Sequence, residues 1–252
     1  MTDANSLQAL LFDVDGTIAE TEQAHRAAFN RAFIEFGILW NWNDKLYGDL
    51  LSVTGGKERI GYFVDAYDAV PKLSPGDIVS LHKRKTEIFA AAVAEGGVAL
   101  RPGVERLWRL AREANIKVGI VTTTSKANVA ALLSATIGEG WESIFDVIAA
   151  GDIVPEKKPA PDIYLVALER LGIDARNVVA IEDSDNGLRS ALGAKIATLI
   201  TPSSYTNGQD FTGASAVVDS LGDETVASKV ISGPELVGGN VDLDYLSRFL
   251  GD

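Results

Sequence analysis

The chain contains no cysteine, which excludes disulfides and thiolate metal sites. No apolar run approaches the roughly 20 residues that a bilayer-spanning helix needs. The opening residues, Met1 to Ser6, are polar and carry no apolar signal core. These absences predict a soluble, non-secreted protein. Positive charge is scarce: 23 Lys and Arg stand against 35 Asp and Glu, a net charge of -12. Such a surface argues against nucleic-acid binding and against docking on acidic membranes. It leaves open a local basic pocket for an anionic small molecule, and no feature points to an obligate protein partner. What is present suits a globular enzyme. Apolar residues make up 46% and charged residues 23% of 252 positions. That length can bury one substantial core and a smaller satellite.

Short β-rich apolar runs alternate with helical patterns after residue 100. The runs are Ile116 to Val121, Phe145 to Ala150, Val178 to Ile181 and Ile196 to Ile200. Helical patterns cover Val104 to Ala114, Lys126 to Ser134, Asp162 to Leu171 and Gly187 to Leu192. This alternation predicts a parallel sheet covered on both faces. An earlier strand, Ala9 to Phe12, is separated from it by a stretch with helical periodicity. There Phe29, Ala32, Phe33 and Phe36 form one stripe, and Ile78, Leu81, Ile88, Phe89 and Ala92 another. The expected organisation is a Rossmann-like α/β core, doubly wound around a parallel sheet, at residues 1–20 and 98–252. A helical cap is inserted at residues 21–97. Val241 to Leu250 reads as one amphipathic helix on the core.

Ligands of parallel sheets bind beyond the carboxyl ends of the strands, and polar residues collect there. The first strand ends in Asp13-Val14-Asp15-Gly16-Thr17, which alone is also a good turn sequence. The second ends in Thr122, Thr123, Thr124 and Ser125, which suits a helix cap, a phosphate site, or both for different residues. Lys158 precedes Pro-Ala-Pro, a stiff loop that aims its side chain. The fourth strand ends in Glu182-Asp183, adjacent carboxylates that repel unless a cation joins them. Mg²⁺ takes hard oxygen ligands and tolerates one or two carboxylates plus a phosphate. With it Asp13 can attack phosphorus, Lys158 and Thr122 can hold the phosphoryl charge, and Asp15 can serve as acid and then base.

DVDGT (Asp13 to Thr17), Thr122, Lys158 in KKPAPD and EDSDNG (Glu182 to Gly187) stand in that order along the chain. In this they resemble the haloacid dehalogenase superfamily of phosphatases over essentially the whole core. The resemblance implies Asp13 as nucleophile and Asp15 as acid/base. It also implies Mg²⁺ held by Asp13, the backbone carbonyl of Asp15 and Asp183, with Glu182 close by. Glu20 stands where that superfamily often has an aspartate.

The cap offers candidates for substrate choice. Gly55, Gly56, Lys57, Glu58 and Arg59 read either as a turn with a salt-bridged helix start or as a site for a second phosphate. Lys85, on the second apolar stripe, either snorkels or points into the cleft. Glu22 and His25 lie in the first turn after the motif; a histidine there is either packed or poised to read sugar hydroxyls. Asp185 reads as a solvated loop acid. YGDLLSVTGGKERI, LHKRKTEIF, LRPGV, VTTTS and GDIVPEKKPAPDIY make the chain most similar to CbbY-type phosphatases. That similarity implies xylulose 1,5-bisphosphate as substrate, cleaved to xylulose 5-phosphate with removal of a Rubisco inhibitor. Spacing alone gives a small sugar phosphate, with two phosphates as an option. A sugar-phosphate mutase on the same scaffold is the nearest rival. A binding or regulatory module is a further one: a phospho-accepting receiver is disfavoured by the cap, and an inactive cap-domain protein by the intact Asp15.

Overall fold

The computed structural model describes residues 6–250. Seven strands form one sheet in the order β3-β2-β1-β4-β5-β6-β7. They are β1 (Ala9–Phe12), β2 (Lys117–Thr122), β3 (Val147–Ala150), β4 (Val178–Glu182), β5 (Ala197–Ile200), β6 (Ala216–Val218) and β7 (Val230–Ser232). The first six run parallel, and β7 pairs antiparallel with β6 at the edge. Central strands of a parallel sheet are covered on both faces, so they read as unbroken apolar runs. β1 shows this: Leu10 and Phe12 join one core cluster, Ala9 and Leu11 the other. The period of two along a strand divides them. Helices α5 (Val104–Glu113) and α6 (Lys126–Thr136) cover the first face with Trp108, Val129, Leu132 and Leu133. Helices α7 (Asp162–Leu171) and α8 (Asp185–Gly193) cover the second with Ile163, Tyr164, Leu168 and Ala191.

Four helices lie between β1 and α5: α1 (Glu22–Glu35), α2 (Asp44–Leu50), α3 (Gly56–Ala66) and α4 (Pro75–Ala94). They form an inserted helical cap with its own core of Phe29, Phe33, Trp42, Tyr47, Leu50, Ile60, Phe63 and Leu81. α4 opens on a capping box in which Ser74 and Asp77 satisfy each other's backbone N–H groups. Its buried face is Leu81, Lys85, Phe89 and Val93, spaced every four residues. That corrects the expected stripe, for Ala92 is exposed and Ile88 only half-buried. Phe36 likewise leaves the α1 stripe, because it caps the helix C-terminus and is 42% exposed. The tail helix is also shorter than expected: α9 covers Leu243–Ser247, with Val241, Tyr245 and Leu246 buried. Asp185 opens α8 instead of sitting in a loop. Among the described residues no helix is long and apolar enough to cross a membrane.

Candidate active site

The chain winds outward from β1 through β2 to β3, then returns to β4 on the other side of β1. Adjacent strands whose connections run in opposite directions leave a crevice at their carboxyl ends. Asp13 leaves β1 at this crevice, and its N–H donates to the Ile181 carbonyl of β4 at 3.0 Å. Asp183 leaves β4 beside it. Carboxylate oxygens of Asp13, Glu182 and Asp183 lie within 4.8 Å of one another, all buried. Lys158 Nζ donates to Asp13 Oδ1 at 2.7 Å, to Glu182 Oε1 at 2.6 Å and to the Val121 carbonyl at 2.7 Å.

Two glycines make this crowding possible. At Gly16, with φ +84°, an added Cβ would lie 2.3 Å from Asp183 Oδ2. At Gly187 it would lie 1.9 Å from Glu182 Oε2. Each glycine therefore vacates the volume that a carboxylate takes.

One lysine does not balance three buried carboxylates. Burial pushes Asp13 well above the usual carboxylate range despite Lys158, with Glu182 and Asp183 adding to the rise. Burial, then Glu182, pushes Asp183 up to about 7. Burial disfavours the charge of Lys158, yet Asp13 and Glu182 hold its proton more tightly than in water. Glu182 Oε2 has no hydrogen-bond partner among the described residues. Buried acids with an orphaned oxygen and a shortage of positive charge fit a hard divalent cation.

Asp15 faces the cap. Thr21 Oγ1 donates to its Oδ1 at 2.5 Å, and His25 Nε2 lies 3.0 Å from the same oxygen. On the far side of the ring, Lys85 Nζ lies 2.7 Å from His25 Nδ1. An ammonium only donates, so Nδ1 accepts and the ring proton sits on Nε2, aimed at Asp15. Burial works against the Asp15 charge, but His25 and Thr21 overcome it and hold the carboxyl far below its usual range. Burial and the Lys85 charge keep His25 neutral. Burial lowers Lys85 to about 7. The ring also stacks on Phe89, with centroids 3.8 Å apart.

These residues border one cavity of about 400 Å³ between cap and core. Its lining includes Asp13, Asp15, Glu22, His25, Gly55, Gly56, Lys57, Arg59 and Lys85. Thr122, Thr123, Thr124, Lys158 and Asp183 also line it, whereas Glu182 lies behind Lys158. The threonine run divides its work. Thr122 is buried at the end of β2 and its Oγ1 accepts from Thr124 N–H at 3.2 Å, while Ser125 caps α6. The cap cations take partners that the sequence does not announce. Lys57 pairs with Asp152 at 2.6 Å. Arg59 Nε donates to the carbonyls of Leu50 at 3.2 Å and Val53 at 3.3 Å, and its Nη1 donates to Tyr47 Oη at 3.1 Å. Tyr47 in turn donates to Glu22 at 2.6 Å.

Three contributors lie outside the residues singled out in the sequence. Tyr164 donates to Glu182 Oε1 at 2.6 Å from an apolar position of α7, a place that carries no polar signal in sequence. Thr21 looks like an ordinary helix cap. Lys157, beside Lys158, pairs with Glu58 at 2.9 Å and Asp152 at 2.7 Å.

A family model of haloacid dehalogenase-like hydrolases matches residues 7–195. Protein CbbY of Cereibacter sphaeroides is 48% identical over 217 residues, 86% of this chain and 94% of that protein. The CBBY-like protein of Arabidopsis thaliana is 41% identical over 85% of this chain and 69% of its own length. The crystal structure of an Asp-to-Asn variant of CbbY from Rhodobacter sphaeroides in complex with xylulose-(1,5)bisphosphate superposes with a TM-score of 0.82. The pair is 48% identical and covers 85% of this chain and 94% of that one. The parallel sheet, the helical cap and these identities agree: the chain belongs to the haloacid dehalogenase-like hydrolases, in their CbbY group.

Proposed function

We propose that this protein is a Mg²⁺-dependent phosphatase that removes one phosphate from a small sugar bisphosphate. The substrate we assign is xylulose 1,5-bisphosphate, and the product xylulose 5-phosphate. The observation that carries the reading is the cluster of Asp13, Glu182 and Asp183 around Lys158, in the same cavity as Asp15. The substrate comes from the bisphosphate bound to the CbbY relative.

Asp13 attacks phosphorus through a carboxylate oxygen. A bond from Asp13 to phosphorus forms, the bond to the sugar oxygen breaks, and that oxygen takes a proton from Asp15. Asp15 then takes a proton from water as the water attacks the aspartyl-phosphate, which releases inorganic phosphate and restores Asp13. Lys158 and Thr122 offer donors to the phosphoryl oxygens during both transfers. Asp15 is ionised in the free protein, so it must take up a proton as the anionic substrate binds before it serves as the acid of the first half; once that proton is given up it starts the second half as a base. Asp13, the backbone carbonyl of Asp15 and Asp183 would hold the metal, with Glu182 behind them and anchored by Lys158 and Tyr164. Bound there, Mg²⁺ screens the charge between carboxylates and phosphate.

The deciding experiment measures inorganic phosphate released from sugar mono- and bisphosphates of five and six carbons, with Mg²⁺ and with chelator. Xylulose 1,5-bisphosphate should be hydrolysed best, and only with Mg²⁺. Equal turnover in chelator would remove the metal from the mechanism. Conversion between sugar phosphate isomers without free phosphate would make the protein a mutase.

A further inference from the structure

We propose that Thr206 is a positioning residue for the metal: its hydroxyl fixes the carboxylate of Asp183, and the loop that carries it is fixed in turn by Arg101. The inference rests on the Mg²⁺ reading above and adds to it a residue that stands behind a metal ligand. Asp183 lies between the end of β4 and the Ser184 cap of α8, and its support comes from the loop after β5. Thr206 Oγ1 donates to Asp183 Oδ2 at 3.2 Å. The Ser203 N–H donates to the same Oγ1 at 2.8 Å, and the Ser203 hydroxyl lies 2.9 Å from it. Asp183, Ser203 and Thr206 are all buried. A metal needs Asp183 ionised, and an ionised carboxylate only accepts. The Thr206 proton therefore points at Asp183, and the Ser203 hydroxyl donates to Thr206. Burial and Glu182 raise Asp183, and the Ser203 hydroxyl opposes them.

Arg101 anchors this loop from the other side. It follows Leu100, which bridges to Ala19 where the chain returns from the cap, and its N–H donates to the Ile18 carbonyl at 2.8 Å. Its side chain is 10% exposed. Nη1 donates to the carbonyl of Gly16 and to that of Thr201 at 2.7 Å. Nη2 donates to the Pro202 carbonyl at 2.9 Å and to the Asp219 carbonyl at 3.2 Å. The planar fork thus joins the turn after Asp15 to the residues before Ser203. The Asp15 carbonyl and Asp183 are two of the groups assigned to the metal, so one guanidinium governs the spacing between them. A lysine carries its donors on a single nitrogen and cannot span the same set of carbonyls. Gly16 closes the arrangement, since only a residue without Cβ lets Asp183 Oδ2 lie against that turn.

The test measures Mg²⁺ binding to the substrate-free protein by titration calorimetry, and the Mg²⁺ dependence of turnover of p-nitrophenyl phosphate, which has no second phosphate. Thr206→Val keeps the shape of the side chain and removes its hydroxyl. It should raise the Mg²⁺ Kd about ten-fold or more, as loss of a ligand's hydrogen-bond partner does. Saturating Mg²⁺ should return its kcat to within about two-fold of wild type, because the hydroxyl acts through Asp183. Thr206→Ser keeps the hydroxyl and should restore the wild-type Kd. Ser203→Ala and Arg101→Lys should each weaken Mg²⁺ in the same direction. Thr198→Val is the control: that hydroxyl is also buried, on β5, but donates only to the Ile196 carbonyl at 3.1 Å. It should leave the Kd unmoved. An unchanged Kd in Thr206→Val, or an equal rise in Thr198→Val, would overturn the role of Thr206 while leaving the metal reading intact. If Thr206→Val does not fold, an unchanged Kd in Ser203→Ala overturns it in the same way. A wild-type protein that neither binds Mg²⁺ nor needs it for turnover would overturn the metal reading, and this inference with it.

Discussion

Asp15 has to be a base in one half of the proposed reaction and an acid in the other, and its surroundings decide how easily it changes. Thr21 and His25 both donate to Oδ1, and Lys85 fixes the His25 proton on the side that faces Asp15. Lys85 therefore acts on the chemistry through His25, and its contribution should not depend on a second phosphate. Lys85→Met should reduce turnover of xylulose 1,5-bisphosphate and of p-nitrophenyl phosphate alike, by about ten-fold or more, as loss of oriented acid–base help does. The melting temperature should hold, since a buried ammonium is replaced by an apolar chain of similar length. A loss confined to the bisphosphate would instead place Lys85 on the distal phosphate. Asp13→Asn should abolish turnover, because an amide cannot form the aspartyl-phosphate. Residual activity above about a tenth of wild type would contradict covalent catalysis by Asp13. Asp15→Asn should be nearly as inactive but still bind substrate, since its backbone carbonyl remains.

At the scale of elements, α3 joins the cap core to the cavity wall through Arg59. This side chain is 9% exposed and supplies donors to two backbone carbonyls and to Tyr47. Truncation would leave the Val53 carbonyl without its donor, a loss of about 1–3 kcal/mol, while the Leu50 carbonyl keeps Val53 N–H and Tyr47 keeps Glu22. Arg59→Ala should therefore lower the melting temperature measurably by calorimetry; an unchanged value would mean that the guanidinium is free for ligand. The elements themselves were readable. β1, the helix at Asp162 to Leu171 and the order of strands and helices follow from apolar runs and 3.6-residue periodicity. Asp13, Thr122 and Asp183 are readable as strand-end residues, because in a parallel sheet those ends converge, and Lys158 as a loop residue aimed by its prolines. β6 and β7 were not, being three residues each, too short for any period to show. Pairings across the cap were not readable either. Lys57 meets Asp152 across 95 positions of chain, and Lys85 meets His25 across 60. Such partners depend on how the cap seats on the core, and local pattern carries no record of that.

For the molecule as a whole, cap and core meet along the rim of the cavity as well as through the sheet-covering core. Phe89 and Val93 of α4 belong to the same cluster as Val129 and Leu132 of α6. Thr54 Oγ1 donates to the Lys158 carbonyl, Asn186 Nδ2 to the Ser52 carbonyl at 3.2 Å, and Tyr205 Oη to Asp44 at 2.9 Å. The acid cluster thus lies buried at the base of the cavity, and its protonation is coupled to the stability of the whole fold. Burial raises Asp183 from an ordinary 3.8 to about 7, and raises Asp13 in the same direction. Between those pH values the folded protein holds protons that the unfolded chain has released. Stability of the metal-free protein must then fall as pH rises through that window. A bound divalent cation needs the ionised carboxylates, so it stabilises more where they have lost their protons. The rise in melting temperature on adding Mg²⁺ should be small near about pH 5 and larger near about pH 7.5. Lys85, lowered to about 7, makes stability rise with pH above that value, so it contributes at the upper point, but equally with and without Mg²⁺, and it cancels in the Mg²⁺ shift. Asp183→Asn should flatten the pH dependence and weaken the Mg²⁺ effect. Scanning calorimetry of both proteins with Mg²⁺ and with chelator measures each quantity. An equal Mg²⁺ shift at the two pH values would show that the cation does not bind by displacing protons from this cluster.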